Sequence, residues 1–466
     1  MTPTREKVIL IALAVLWLAL RVPHLATRYC FNWDSSLYAR GIHEFSLQKE
    51  QPHPPGFPLW VFSARGLTPL AGGPIQGQIL LAILIALGGL TVFYLLARMI
   101  LVQGNTAAMC TLLLAYSPGI ALNSSIAASS IVDMLSSAVA GYLAFLDPRR
   151  APWRIVVCLT SLGILAGFRE AGVGLLAPFV IFAMLMHWRV APRAVVAGAA
   201  LGAVMFLAWY IPLAESVGGL RAYWNLVSNY FLRVSANTSV FMGGPSRRHF
   251  GMIAENFLDY GMNFAGWIIA SLPLLWHRWK KVPLWRFAAW MLPSIIMILG
   301  IHSGRVGQCL QLFPAFVLLC ALFGKPRLWS TVAGIAVSLG ISYFPYGDLQ
   351  FSRFWRETYL MYRATPRLAL DLEASQRALD PVLRQLKQQG APEPFVCAGE
   401  FPEAPNIASF GYDFSYIRWV LPRDAPPDRT IWVFKQLGPD PETRLRYANW
   451  RRIWGDERIS VWEASP

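Results

Sequence analysis

The chain has 466 residues, 55% of them hydrophobic and only 14% charged, with a mean hydropathy of +0.42. A soluble domain carries about 25% charged residues, so the composition argues against a cytosolic globular enzyme, and so much apolar and aromatic surface excludes disorder. Six cysteines without close pairing exclude a disulfide scaffold and a zinc ribbon, while the formal net charge of +15 raises nucleic acid as a partner until its location is known.

That charge is unevenly placed. From Tyr346 onward 16 basic residues balance 16 acidic ones, whereas the first 345 residues hold 25 basic against 10 acidic. These first residues are also the apolar part of the chain. Positive charge between long apolar runs is a membrane-topology signal before it is a nucleic-acid footprint, so no nucleic-acid partner is expected.

Apolar runs of roughly the 20 residues that a bilayer crossing needs occur near 8–23, 76–98, 104–122, 126–146, 153–168, 171–188, 193–213, 254–276, 284–302, 306–323 and 327–345. They predict about eleven transmembrane helices. Arg5 and Lys7 precede the first run and no A-x-A-like cleavage site follows it, so it reads as an uncleaved span with the N-terminus in the cytoplasm. The gaps then assigned to the cytosol hold 14 basic residues against only Glu6 and Asp147, and the outward gaps, although much longer, hold 11 basic and 8 acidic. This satisfies the positive-inside rule at every short gap.

Three outward segments are long: 24–75, 214–253 and everything after 345. The first contains amphipathic stretches such as Pro55–Leu70, which read as interfacial helices. The tail alternates a helical pattern at Leu368–Gln389 with strand-like runs at Phe395–Ala398 and Thr430–Phe434. The expected architecture is mainly α: a polytopic membrane helical bundle over 1–345, followed by a small extracytoplasmic α/β domain over 346–466.

Candidate site residues come from the few outward carboxylates and the groups beside them. Asp34 lies just past the first span, in Asn32-Trp33-Asp34-Ser35-Ser36-Leu37-Tyr38. Asp133 opens the fourth span, and Arg169 and Glu170 occupy a tight outward turn. Ionisable groups at a membrane boundary are costly and mark functional sites by default. His53 sits in Gln51-Pro52-His53-Pro54-Pro55-Gly56, where the prolines hold the backbone extended and fix the direction of the imidazole. Arg247 and Arg248, with His249, form a basic cluster in the second long segment, and Arg305, with His302, caps a later span. Each has a plainer reading: Asp34 and Asp133 as helix N-caps, Arg169 and Glu170 as mutual neutralisers, and the basic cluster as an interfacial anchor. Outward Asp and His residues could bind a divalent metal, but no spacing demands one.

These residues carry a resemblance. An acidic residue shortly after the first span, a basic residue before Pro-Pro and an Asp at the head of the fourth span together resemble the GT-C superfamily of membrane glycosyltransferases. The likeness is nearest to the protein O-mannosyltransferases and the lipid A aminoarabinose transferases. Gly163–Pro178, Ala208-Trp209-Tyr210 followed by Gly218-Gly219, and Ser303–Ala321 with Pro314 are similar to further segments of that family. The chain differs in carrying Ser35 where many relatives have a second carboxylate, His53 in place of Lys, and Gln311 where Tyr is common.

What the resemblance implies is an inverting transferase that moves a sugar from a polyprenyl-phosphate donor to an acceptor protein, lipid or glycan on the outer face. Asp34 would be the general base. His53, Arg169, Arg305, Arg247 and Arg248 would face the donor phosphate. Asp133, Glu170 and Tyr38 would orient the acceptor or a basic partner. A transporter or flippase of a lipid-linked precursor is the competing reading, although charges gathered at one face and the lack of an internal repeat argue against it.

Overall fold

The computed structural model describes residues 3–31, 33–236, 239–243, 247–271, 283–301, 310–324, 326–343, 366–388, 395–398, 430–435, 448–455 and 459–465. Every predicted apolar run contains a helix. In chain order the α-helices of the described residues are α1 (Pro3–Ala19), α2 (Trp33–His43), α3 (Pro58–Ala71), α4 (Pro74–Leu101), α5 (Gly104–Tyr116), α6 (Pro118–Asn123), α7 (Ile131–Phe145), α8 (Trp153–Phe168), α9 (Glu170–Trp188), α10 (Pro192–Glu215), α11 (Leu220–Ser235), α12 (Val240–Gly243), α13 (Arg247–Ser271), α14 (Leu284–Ile296), α15 (Leu312–Gly324), α16 (Leu328–Tyr343) and α17 (Pro366–Gln388). Proline opens α3, α4, α6 and α10, where its missing N–H costs the helix nothing.

Two predicted runs are interrupted. The run over 104–122 breaks at Ser117 because Pro118 cannot continue the α5 hydrogen-bond ladder, and α6 starts there instead. The run over 126–146 begins its helix only at Ile131, leaving 124–130 as a buried turn. Both departures put backbone turns rather than helix at one end of the bundle.

Among the described residues, five helices are long and apolar enough to cross a membrane: Thr4–Ala26, Pro74–Leu101, Glu170–Trp188, Pro192–Glu215 and Leu284–Ile301. The shorter Ile131–Phe145, Trp153–Phe168, Leu312–Gly324 and Leu328–Tyr343 are also apolar. Their outer faces expose Ile11, Leu185, Val196, Val204 and Leu292, a belt that only lipid can cover. The protein is an integral membrane protein.

Inside the bundle, α4 packs against α3 and α7, and α8 packs along α10. The amphipathic helix α3 buries Trp60, Val61 and Ala64 while exposing Phe62 and Leu70. Some polar groups in the core pair across helices: the Trp290 indole donates to Ser137 Oγ at 2.9 Å, and Ser137 donates to the Gln311 carbonyl. The α8–α10 contact depends on Gly202, because a Cβ there would lie 2.7 Å from the Leu159 carbonyl oxygen. Small residues at such crossings let membrane helices approach closely.

Beyond the bundle, α17 is followed among the described residues by four strands, β1 (Phe395–Ala398), β2 (Thr430–Lys435), β3 (Asn449–Gly455) and β4 (Ile459–Ser465), in the order β1-β2-β4-β3. β1 runs parallel to β2, and the other pairs are antiparallel. Residue 432 is in backbone register with Trp462 across β2 and β4, and Arg451 pairs with Glu463 across β3 and β4. The helix and the first two strands fall where the sequence places them. β3 and β4 go beyond that reading.

Gly202→Val is expected to destabilise the bundle by about 1–3 kcal/mol through overpacking. Thermal size-exclusion profiles of the detergent-solubilised chain measure this, and an unchanged midpoint would show that α8 and α10 do not meet as described.

Candidate functional site

The site is built at the end of the bundle where α7, the α8–α9 break and the loops around α2 meet. Asp133 is in the first turn of α7, but Ser130 occupies the N-cap position, so the carboxylate is free of capping duty. It pairs instead with Arg169. That residue separates α8 from α9 in an extended conformation (φ −158°, ψ 90°), which turns its side chain across the bundle toward α7. Arg169 Nε donates to Asp133 Oδ2 at 2.8 Å, with the side chains only 12% and 2% exposed. A pair this deep repays its desolvation only with close geometry and further hydrogen bonds.

The further bonds are present. Arg169 Nη1 donates to Ser129 Oγ at 3.2 Å, and Ser129 Oγ lies 3.1 Å from the Tyr38 hydroxyl, where either oxygen can donate. Gly172, just inside α9, is required here, because a Cβ would overlap Oδ1 of Asp133. The 124–130 turn, α2 and the start of α9 are thereby tied to one ion pair.

Asp34 and His53 form the open side of the cluster. Asp34 is in the first turn of α2, where the helix dipole favours a negative charge, and its side chain is 46% exposed. His53 Nδ1 lies 3.9 Å from Asp34 Oδ1, within ion-pairing range but beyond a hydrogen bond. The imidazole is 9% exposed. It stacks near Tyr38 at 5.7 Å and is flanked by Phe57 at 5.1 Å and by Tyr230 of α11 at 5.4 Å. Burial pushes the His53 pKa down, Asp34 partly opposes that, and the Arg169 charge adds to it. The ordinary near-neutral titration expected of an exposed His is therefore moved to lower pH. Burial also raises the Tyr38 hydroxyl well above its usual range, with Asp34 reinforcing the effect, so Tyr38 is a neutral hydrogen-bonding group.

The loop that carries His53 is anchored twice. Ser46 and Gln51 exchange backbone hydrogen bonds at its base, and the Tyr223 hydroxyl of α11 donates to the Pro55 carbonyl at 2.9 Å. Glu170 lies 3.2 Å from the same Tyr223 hydroxyl. Glu170 and Arg169 therefore do not neutralise each other: one serves the loop and the other serves Asp133. Arg233 pairs with Glu50 and lies 5.2 Å from the Tyr230 ring, which fixes the remaining wall of the His53 pocket.

Of the residues singled out from sequence, Asp34, Tyr38, His53, Asp133 and Arg169 meet in one connected cluster, and Glu170 lies beside it. Arg305 and His302 lie outside the described residues. Arg247 and Arg248 open α13, but their side chains lie outside the described ones too. Ser129, Gly172, Tyr223 and Tyr230 escaped the sequence reading, because no local pattern separates a linking Ser, Gly or Tyr from an ordinary one. Asp34 and His53 could offer two ligands to a cation, but among the described residues no three His, Cys, Asp or Glu side chains converge on one point.

Arg169→Leu would strand the Asp133 carboxylate, with an expected loss of about 3–5 kcal/mol, and the Asp133→Leu/Arg169→Leu double variant should recover most of it. Unfolding midpoints of the three proteins in detergent test this, and a double variant no better than the single one contradicts it. The His53 pKa lies below the ordinary 6.5, so the unfolded chain binds the extra proton first. The stability contributed by neutral His53 is complete above pH 6.5 and is lost as the pH falls below it. Melting temperatures of His53→Gln between pH 5 and 7.5 should accordingly show a shallower acid limb than the parent protein.

No protein-family model and no curated protein matches the sequence. Solved structures do. The chain is similar to ArnT from Cupriavidus metallidurans bound to undecaprenyl phosphate, with a TM-score of 0.56 at 15% identity over 100% of both chains. It is similar to the apo form of the same protein, with a TM-score of 0.55 at 16% identity over 99% of both. The chain thus shares the fold of ArnT.

Proposed function

We propose that the protein is a membrane glycosyltransferase that transfers a sugar from a polyprenyl-phosphate donor to an acceptor hydroxyl, with inversion and with Asp34 as the general base. The observation that carries this reading is the half-exposed Asp34 carboxylate beside a buried imidazole, at the edge of a rigid ion-paired cluster. The fold shared with ArnT, solved with undecaprenyl phosphate, supports the donor class.

In this mechanism the acceptor oxygen attacks the anomeric carbon while the bond from that carbon to the phosphate oxygen breaks. The acceptor proton passes to Asp34, and the electron pair leaves with the lipid phosphate. Arg169 spends Nε on Asp133 and one Nη1 contact on Ser129. A guanidinium has five N–H donors, so it keeps donors for the leaving phosphate. His53 contributes a neutral N–H, and Arg247, Arg248 and Arg305 are the further candidates for the phosphate. Tyr38, Asp133 and Glu170 hold these groups in place. The reading places the cluster on the periplasmic face of a bacterial inner membrane, with residues 1–345 as the transferase unit and 346–466 as an extracytoplasmic unit.

Membranes containing the protein should release undecaprenyl phosphate from undecaprenyl-phosphate-linked mannose or aminoarabinose. Asp34→Asn should slow that release by about 10²–10⁴-fold, the usual worth of a general base. Undiminished release in Asp34→Asn would remove the base assignment. Movement of the lipid across liposomes without its consumption would replace the enzyme by a transporter.

A further inference from the structure

We propose that Glu373 of α17 is a positioning residue for this site, holding the 26–31 segment that leads to Asp34 while its helix also packs on the 124–130 turn that leads to Asp133. The proposal rests on the reading of Asp34 given above. Neither segment is regular structure. Residues 27–31 link the 3-10 turn Val22–Ala26 to α2, and residues 124–130 link α6 to α7. The N–H groups of Thr27, Ser124, Ser125 and Ala128 bond to nearby backbone carbonyls, but those of Arg28 and Tyr29 are met by a side chain from elsewhere in the chain.

α17 brings it from about 345 residues away. Pro366, Ala369 and Glu373 are buried at helical spacing on one face. Ala369 packs with Leu122, Ile126 and Ala128, and Phe31 packs against the same cluster. One helix thus touches both segments. Glu373 is 8% exposed. Its two carboxylate oxygens each accept the Arg28 N–H at 3.2 Å, and Oε2 also accepts the Tyr29 N–H at 3.2 Å. Arg377, one turn on, donates from Nε to Glu373 Oε1 at 2.9 Å and from Nη2 to the Ala26 carbonyl at 3.0 Å. Carboxylate and guanidinium together occupy both donors and acceptors of the 26–29 backbone, five residues before Asp34. A small cavity remains between α17 and the two segments, lined by Tyr29, Cys30, Ser125, Ile126, Ala369 and Glu373.

The chemistry of the contact needs a carboxylate. An amide at 373 can keep its oxygen on the Arg28 and Tyr29 N–H groups, but its NH₂ then faces the Arg377 Nε–H and the Arg28 N–H, so Glu373→Gln replaces the attraction at Oε1 by donor–donor opposition with almost no change of volume. Loosening 26–31 should misplace Asp34 while leaving the Asp133–Arg169 pair intact. Cys30 offers a reporter that does not depend on catalysis. It is 1% exposed, and burial, with Glu373 adding to it, pushes its thiol up to about 12, so in the closed arrangement it is neither accessible nor present as the reactive thiolate.

The experiment uses the full chain in membranes, with three variants beside the parent: Glu373→Gln, Asp34→Asn and Arg367→Gln. Arg367 pairs with Asp371 on α17 and is 47% exposed. Two quantities are read: steady-state release of undecaprenyl phosphate, and the rate at which N-ethylmaleimide labels Cys30, followed by peptide mass spectrometry. Glu373→Gln should express normally, lower kcat about tenfold with KM for the donor within twofold, and raise Cys30 labelling at least tenfold. Arg367→Gln should match the parent in both. Cys30 still protected in Glu373→Gln, or kcat unchanged there, overturns the proposal. An active Asp34→Asn removes the base assignment separately, and the Cys30 labelling then decides by itself whether Glu373 holds the 26–31 segment.

Discussion

The ion pair between Asp133 and Arg169 is the constraint on which the rest of the site depends. Two charges at 2% and 12% exposure are tolerated only because each meets the other at 2.8 Å and the surroundings are shaped to the pair. Arg169 reaches Asp133 because its backbone is extended between two helices, and Asp133 fits because residue 172 has no side chain. From that pair the order spreads outward through Ser129 to Tyr38, and from the Tyr38 ring to His53 and the open carboxylate of Asp34. One connected path therefore joins a buried charge pair to the half-exposed carboxylate of Asp34.

The groups along this path divide into a buried end and an open one. Groups at the buried end are spoken for: Asp133 by a guanidinium, and Tyr38 by Ser129. Groups at the open end keep capacity for a substrate. Glu170 lies next to Arg169 in sequence yet serves a different purpose, meeting the Tyr223 hydroxyl that anchors the Pro55 carbonyl of the His53 loop. Buried polar groups specify geometry where they are paired, as Arg169, Ser129 and Tyr38 are here. In the proposed transfer that geometry sets the separation between Asp34 and Arg169.

Much of the fold was legible because the bilayer simplifies the code. A spanning segment must be apolar over about 20 residues, and every such run in the sequence contains a helix. The interruptions were harder to read. Pro118 marks the α5–α6 break in retrospect, but nothing local shows that 124–130 forms a turn rather than the first turn of a helix. The candidate site was legible where residue type is costly at its location, as for Asp34, Asp133 and Arg169 near a membrane boundary. It was illegible where an ordinary residue acts through a distant contact, as do Ser129, Gly172, Tyr230 and Glu373.

By itself the sequence determined the membrane bundle, the segregation of the +15 charge into its first 345 residues, and a short list of ionisable groups. Those follow from composition and periodicity, which are local. The tertiary structure alone decided the pairing: that Arg169 turns to Asp133 and not to Glu170, that His53 is buried and held neutral, and that a carboxylate near residue 373 reaches the loop before Asp34. Pairing depends on which helix ends meet in space. That is set by packing across a hundred or more residues, so no window of the sequence contains it.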